Sequence, residues 1–551
     1  MIFAAAISLM LLASGASAFS PPPHAAAKDP ILTASLEVGA AVGVLTPDSW
    51  SVDAQVTNPN ALRVDPSVGQ YLNASGNGGI GFVRYGAGAD ECNETTNQFY
   101  NSSGVVISGC PNNVTAIKDW CDSLTPTCRT VLDLPGENNN SAEDAAIVRD
   151  IVDTKGFLPT YFAIGNEPES WTHYGEPWTS WRTTDHSTPT PLDYAWDVHD
   201  AIAAIRGVDP DAQFVGIEAD GSFDVSYPTA VLQLNAPNIS AMAVHLYPHA
   251  PGTFGGAESL PLYLEGLYVS SPGLPSPAAA YEKFRATVTA ACANCSRIVV
   301  QVGEFNSGPA QGPPPNENME YAGAVYLAAG AVELLDAGAP IIEVYKLQGG
   351  QNPCDDCLMN STAGDALDPQ GQFLEEFPPM LGGGAILNST VVSSATNLWA
   401  TTVSRAGNTS LLFVNANVTA PSVVLNLTGS LIPTGHLVRI RTWTSTGPIE
   451  TTTALMPTSI SVPSLGILAI NETPNASTIP PSNTTSPGGT SGTRFASLQI
   501  TQVAGLGVAV VGAVLLVQRA EIRFSPKYRW VPPWAPGLAL LGAGIVLLLA
   551  G

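Results

Sequence analysis

Ala163-Ile164-Gly165-Asn166-Glu167-Pro168-Glu169 closes a short apolar run with an asparagine, a glutamate and a proline. A second run of this kind, Arg297-Ile298-Val299-Val300-Gln301-Val302-Gly303-Glu304-Phe305-Asn306, follows well over a hundred residues later and ends on a lone glutamate. Both have the length and apolar character of buried strands. Two strands that each deliver a carboxylate at the C-terminal end describe a parallel α/β fold whose working face lies where the strands stop.

Outward from these two, the same rhythm continues. Strand candidates are Gly81 to Gly88, Thr130 to Pro135, Tyr161 to Asn166, Phe214 to Ala219, Ala241 to Tyr247, Ile298 to Glu304 and Ile341 to Leu347, with an earlier one within Ile31 to Leu45. Helix-like segments lie between them, among them Ala142 to Val152, Leu192 to Ile205, Ala278 to Ala291 and Met319 to Asp336. Strands alternating with helices in this number predict a (β/α)8 TIM barrel over residues 30–380. From residue 385 to 471 the pattern changes to short β-branched runs cut by Gly, Pro and Asn, the signature of an accessory β-sandwich. Whether the N-terminal strand joins that sheet is open at this level.

The two ends of the chain read differently. Residues 1–18 have the apolar run and the Ala16-Ser17-Ala18 ending of a secretory signal, without a positive start. Residues 473–497 are rich in Pro, Ser, Thr, Asn and Gly and read as a stalk. Two apolar segments, 498–517 and 534–551, are expected to cross a membrane as helices; Arg519, Arg523, Lys527 and Arg529 lie between them, with Trp530 and Trp534 as interface aromatics. The implied protein is secreted and membrane-anchored, with its catalytic domains outside. About fifteen Asn-x-Ser/Thr sequons fit that compartment, Asn73, Asn93, Asn101, Asn113, Asn238 and Asn417 among them. So do eight cysteines in close pairs: Cys92 with Cys110, Cys121 with Cys128, Cys292 with Cys295 and Cys354 with Cys357. The last two pairs also have the spacing of a four-sulfur zinc site.

The net charge is −25, yet only 12% of residues are charged and 21 are Lys or Arg. A weakly charged acidic surface excludes nucleic acid as a partner, and with it a grip on a long polyanion. Gly76-Asn77-Gly78-Gly79-Ile80-Gly81 has the letters of a dinucleotide loop, but it precedes a strand instead of opening a helix. No cofactor and no metal are expected.

What remains is a carboxylate pair. Glu167 and Glu304 are the minimum equipment of retaining glycoside hydrolysis, one as acid and then base, the other as nucleophile. Asn166 is placed to hydrogen-bond a sugar hydroxyl. Arg84, in Phe82-Val83-Arg84-Tyr85-Gly86, supplies a cation that keeps Glu304 ionised. His245 and Tyr247 end the preceding strand and face substrate or nucleophile.

These motifs resemble clan A of the glycoside hydrolases, in which the acid/base follows an asparagine on strand four and the nucleophile ends strand seven. Phe162 to Glu169, the Trp171 to Trp178 loop with Thr188-Pro189-Thr190-Pro191, and Val302-Gly303-Glu304-Phe305-Asn306 resemble family 79, the β-glucuronidase and heparanase-like enzymes. Tyr85 and Ala87 depart from that family's Arg-Ile-Gly-Gly strand. The resemblance implies a carbohydrate substrate, a terminal β-glucuronide whose carboxylate is met by Asn306, Ser307, Gly308, Tyr345 and Lys346. The alternatives are a clan A hydrolase of neutral β-glycosides and a non-catalytic surface glycan-binding protein.

Overall fold

A computed structural model describes residues 32–54, 80–85, 92–93, 98–100, 106–108, 114–123, 127–136, 139–169, 189–220, 224–247, 276–306, 317–349, 358–360, 366–405, 408–417, 422–428, 430–433 and 435–473. The signal-like segment, the stalk beyond residue 473 and both C-terminal apolar segments lie outside these residues. Among the described residues no helix is long and apolar enough to cross a membrane.

Eight parallel strands close into a barrel. In chain order they are Trp50–Asp53, Phe82–Tyr85, Arg129–Leu134, Tyr161–Ile164, Phe214–Ala219, Ile239–Leu246, Val299–Phe305 and Ile342–Val344, here called barrel strands one to eight. The helices between them begin where the sequence caps them. Thr190 accepts from the Asp193 amide at 3.2 Å ahead of Pro191–Arg206. Ser276 likewise accepts from the Ala279 amide at 3.2 Å ahead of Pro277–Ala291.

Successive side chains of a strand point to opposite faces. On strand two Val83 and Tyr85 join the shell under the helices, while Phe82 and Arg84 point into the barrel. Phe82, Val131, Tyr161, Ala163, Val215, Ala241 and Ala243 fill the lower interior as an apolar plug. Above it the inward residues turn polar: Asp53, Arg84, Asp133, Glu218, His245 and Glu343 are all buried. That layer is the floor of the strand-end cleft.

A nine-stranded sheet forms the accessory β domain. The strand that opens the described chain, Leu32–Leu45, pairs antiparallel with Gly384–Ser393 and parallel with Ser422–Asn426. The barrel therefore starts at Trp50 and not at residue 30, and the accessory domain is discontinuous. Its strand Asn408–Asn415 shows how the two units join: Leu411 and Phe413 enter the sheet's own core, while Leu412 and Val414 face the barrel. The barrel side is the long helix Glu317–Asp336. There Tyr321 donates to the Trp443 carbonyl at 3.1 Å, Trp399 donates to Glu333 at 2.9 Å, and Thr401 donates to Asp336 at 3.0 Å.

Disulfides join Cys121 to Cys128 and Cys292 to Cys295. The second bond rules out those two sulfurs as zinc ligands. The side chains of the other two expected pairs lie outside the described residues. The sequon at Asn417 is overturned as a glycan site in the folded chain. Its side chain is buried, and its amide nitrogen donates to the Thr396 carbonyl at 3.1 Å.

Candidate active site

Two different backbone devices place the two glutamates. Strand four ends at Ile164, whose carbonyl accepts from the Tyr194 hydroxyl at 2.7 Å, and the Gly165 amide donates to the Leu134 carbonyl at 2.9 Å. Gly165 then takes φ +75° and Glu167 φ +45°, with the Glu167 amide donating to the Glu218 carbonyl at 3.0 Å. Left-handed φ favours glycine at 165 and costs a non-glycine residue of order 1 kcal/mol at 167, a strain that collects at functional positions. Gly136 permits this turn, because a Cβ on it would lie 2.8 Å from the Gly165 Cα.

Strand seven uses a bulge. Val300 and Val302 face the outer shell, so strict alternation would send Glu304 outward too. The pairing with strand six slips between Val244 and His245, which oppose Val302 and Glu304, leaving Gly303 as the extra residue. A bulge re-aims the side chain that follows. Glu304 turns into the barrel, and Phe305 takes the outer face, stacked 5.6 Å from Tyr326 and pressed on Gly330.

Glu167 and Glu304 are brought together, each with one carboxylate oxygen inside a cluster with His245 whose atoms all lie within 4.8 Å of one another. Such closeness is compatible with the short carboxyl separation that retaining hydrolysis uses. Arg84 donates to Glu304 Oε1 at 2.6 Å, and the Tyr247 hydroxyl donates to Oε2 at 2.5 Å. Burial alone would raise the Glu304 carboxyl, but His245 and Arg84, with the Tyr247 bond, outweigh it and hold it below the ordinary range. His245 Nδ1 lies 2.7 Å from Glu167 Oε1 and 3.6 Å from Glu304 Oε2. Burial pushes this imidazole down, yet the two glutamates outweigh it and raise it. The contact with Glu167 is a hydrogen bond.

The sequence-predicted partners divide. Asn166 is buried and accepts from Arg84 Nη2 at 2.6 Å. Tyr345 meets Tyr247 edge to face at 6.3 Å, and the Lys346 ammonium stands 5.1 Å above the Tyr345 ring. Asn306 takes a supporting place instead of a substrate-facing one. It is fully buried, exchanges two bonds with Gln370 at 2.8 and 3.1 Å, and donates to the Tyr345 carbonyl. It fixes the end of strand eight. Ser307 and Gly308 lie outside the described residues. Sequence reasoning missed the ring of acids under the site, Asp53, Asp133, Glu218 and Glu343, although the last three each interrupt an apolar strand.

No protein-family model and no curated protein sequence matches the chain. Solved structures do match in fold. CelM2, a bifunctional glucanase-xylanase from a metagenome library, is 13% identical over 80% of this chain and 99% of its own, with a TM-score of 0.56. The GH51 arabinofuranosidase from Xanthomonas axonopodis pv. citri is 11% identical over 80% and 100%, with a TM-score of 0.58. A xyloglucanase of GH family 44 from Paenibacillus polymyxa is 12% identical over 80% and 99%, with a TM-score of 0.55. At such identities the likeness shows the fold, a TIM barrel with an accessory β domain.

Proposed function

We propose that the chain is a retaining glycoside hydrolase, with Glu304 as nucleophile and Glu167 as acid and then base. The observation that carries this reading is the close glutamate pair, in which Glu304 is held ionised by His245, Arg84 and Tyr247. Glu304 attacks the anomeric carbon while Glu167 gives its proton to the departing oxygen. Glu167 then takes a proton from water, which attacks the same carbon and frees Glu304. Its structural neighbours support the class, being a glucanase-xylanase, an arabinofuranosidase and a xyloglucanase.

For the sugar we infer a terminal β-glucuronide, in keeping with the resemblance to family 79. Its support is Lys346, half-buried at the end of strand eight and linked through Tyr345 and Tyr247 to the nucleophile, where one ammonium suffices for one uronate. A neutral β-glycoside is the second reading, favoured by the carboxylates that dominate the cleft floor. The expected setting is an exported protein held by its C-terminal apolar segments, with the 519–529 loop inside; protease shaving of intact cells that cut this loop and spared the barrel would reverse it.

A panel of aryl glycosides tests the function. Glucuronide turnover that falls far more than glucoside turnover in Lys346→Ala supports the uronate reading. Turnover of neutral glycosides alone supports the second, and no turnover by the intact chain overturns both.

A further inference from the structure

Every barrel strand puts a polar group against one cation or its neighbours: Asp53, Arg84, Asp133, the Asn166-Glu167 turn, Glu218, His245, Glu304 and Glu343, in strand order. Five carboxylates thus lie within 3.8 Å of a single guanidinium closed off from water. All five ionised beside one arginine would leave a large uncompensated charge in a dry interior, which proteins avoid by taking up protons.

The geometry says where a proton must go. Each terminal nitrogen of the guanidinium carries two hydrogens. Arg84 Nη1 spends its pair on Glu304 at 2.6 Å and Asp53 at 3.2 Å. Nη2 faces three acceptors: Asn166 Oδ1 at 2.6 Å, Asp133 at 2.9 Å and Glu218 in closer contact. Two hydrogens cannot serve three acceptors. Apart from Arg84, no described group bonds the Asp133 or Glu218 carboxylate. Glu218 is also aimed there by the backbone, since the register between strands five and six slips between Val215 and Glu218, a second bulge like the one before Glu304.

We propose that Asp133 and Glu218 share one proton and in that state act as positioning residues, holding Arg84 against the nucleophile Glu304. Two carboxylates crowded on one site keep a proton between them because both cannot ionise. Burial, the first cause acting on each, pushes in the same direction. With the proton present the pair carries one negative charge, and Arg84 stays divided between the floor and Glu304. When it leaves, the doubled charge draws the guanidinium down and the nucleophile loses a donor. Glu218 reaches both catalytic carboxylates, through Arg84 to Glu304 and through its own carbonyl to the Glu167 amide.

This deepens the glycosidase reading and rests on it for its kinetic arm alone. Infrared difference spectra of the intact chain against Glu218→Gln and Asp133→Asn are expected to show a buried carboxylic-acid band at neutral pH in wild type that at least one variant lacks. Kinetically, an activated aryl glycoside that needs no proton on its leaving group is used, so that the ionisation of Glu167 does not limit kcat/KM. The alkaline limb should move up by about one pH unit or more in Glu218→Gln, because an amide cannot ionise. Differences containing carboxylate bands alone, or an unmoved limb, overturn the proposal. If the variants do not fold, the wild-type acid band is followed across the same alkaline range, and a band that persists beyond the limb overturns it as well. If the intact chain cleaves no glycoside, the infrared arm still judges the shared proton, while the functional reading falls by itself.

Discussion

Glu304 and Asp336 are both carboxylates withdrawn from water, one in the barrel mouth and the other where the long helix meets the sheet, and their protons are driven in opposite directions. Burial is the largest cause at both. At Glu304 an imidazole, a guanidinium and a phenol overrule it, and the carboxyl falls below its ordinary range. Asp336 has the Thr401 hydroxyl and the nearby charge of Glu333 but no cation among its causes, and it is pushed up to about 7. Depth alone therefore does not decide ionisation; a committed cation does. The same distinction operates inside the floor cluster, where Glu304 is served by three partners and Glu218 competes with two other acceptors for one nitrogen.

The severest way to break the contrast is to remove the ionised member. Glu304→Gln should lower kcat by at least about 10⁴-fold with the melting temperature preserved, since loss of a nucleophile costs this much or more. A variant that keeps a tenth of the activity would end the nucleophile assignment. Glu167→Gln should slow poor leaving groups most, because only these need protonation; equal losses on good and poor leaving groups would remove its acid role.

Removing the cation sharpens the contrast from the other side. His245→Gln takes away the largest favourable charge on Glu304, so burial reasserts itself and the carboxyl rises. Since attack needs the ionised form, the acidic limb of kcat/KM should move to higher pH, with a loss of about 10²-fold near neutrality. A profile that only drops in height would mean His245 is structural.

At the seam the effect is smaller and concerns stability. Asp336 is raised from 3.8 to about 7, so its folded form binds the proton more tightly than the unfolded chain does. Its contribution is complete below about pH 4 and disappears as pH rises through about 7. Asp336→Asn should abolish that slope and gain roughly 1–2 kcal/mol above about pH 8, read by thermal denaturation across the range. Parallel curves for wild type and variant would show that Asp336 does not titrate there.

The sequence made one of these regions legible and hid most of the other. Glu167, Glu304, Arg84, His245 and Tyr247 stand out because each sits in or just past an apolar run, and strand ends are where a barrel puts its chemistry. Barrel strand one was missed because it is four residues long and its inward positions, Ser51 and Asp53, are polar, which inverts the usual pattern. Asn306 was misplaced because its partner Gln370 is 64 residues away. The inward turn of Glu304 was read from its motif, whereas period-2 reasoning points it outward, and only the bulge at Gly303 reconciles the two. Three of the floor acids had a visible signal, a carboxylate inside a buried strand, repeated at Asp133, Glu218 and Glu343. Its meaning depended on these converging with Asp53 on Arg84, which no single run displays. The seam carboxylates had none, since Glu333 and Asp336 sit where a helix commonly exposes acids.

The opening strand Leu32–Leu45 sets a timetable for synthesis. Ser393 bonds back to Thr33 across 360 residues of chain. Translation at a rate of order ten residues each second delivers that partner roughly half a minute after the strand emerges. Until then Leu32, Ala34 and Leu36 have an apolar face with no sheet to cover it, while the entire barrel is made and can close in the interval. The nascent chain must shield this edge from other unpaired strands, and a chaperone binding site or an aggregation hot spot in incomplete chains is to be sought there first.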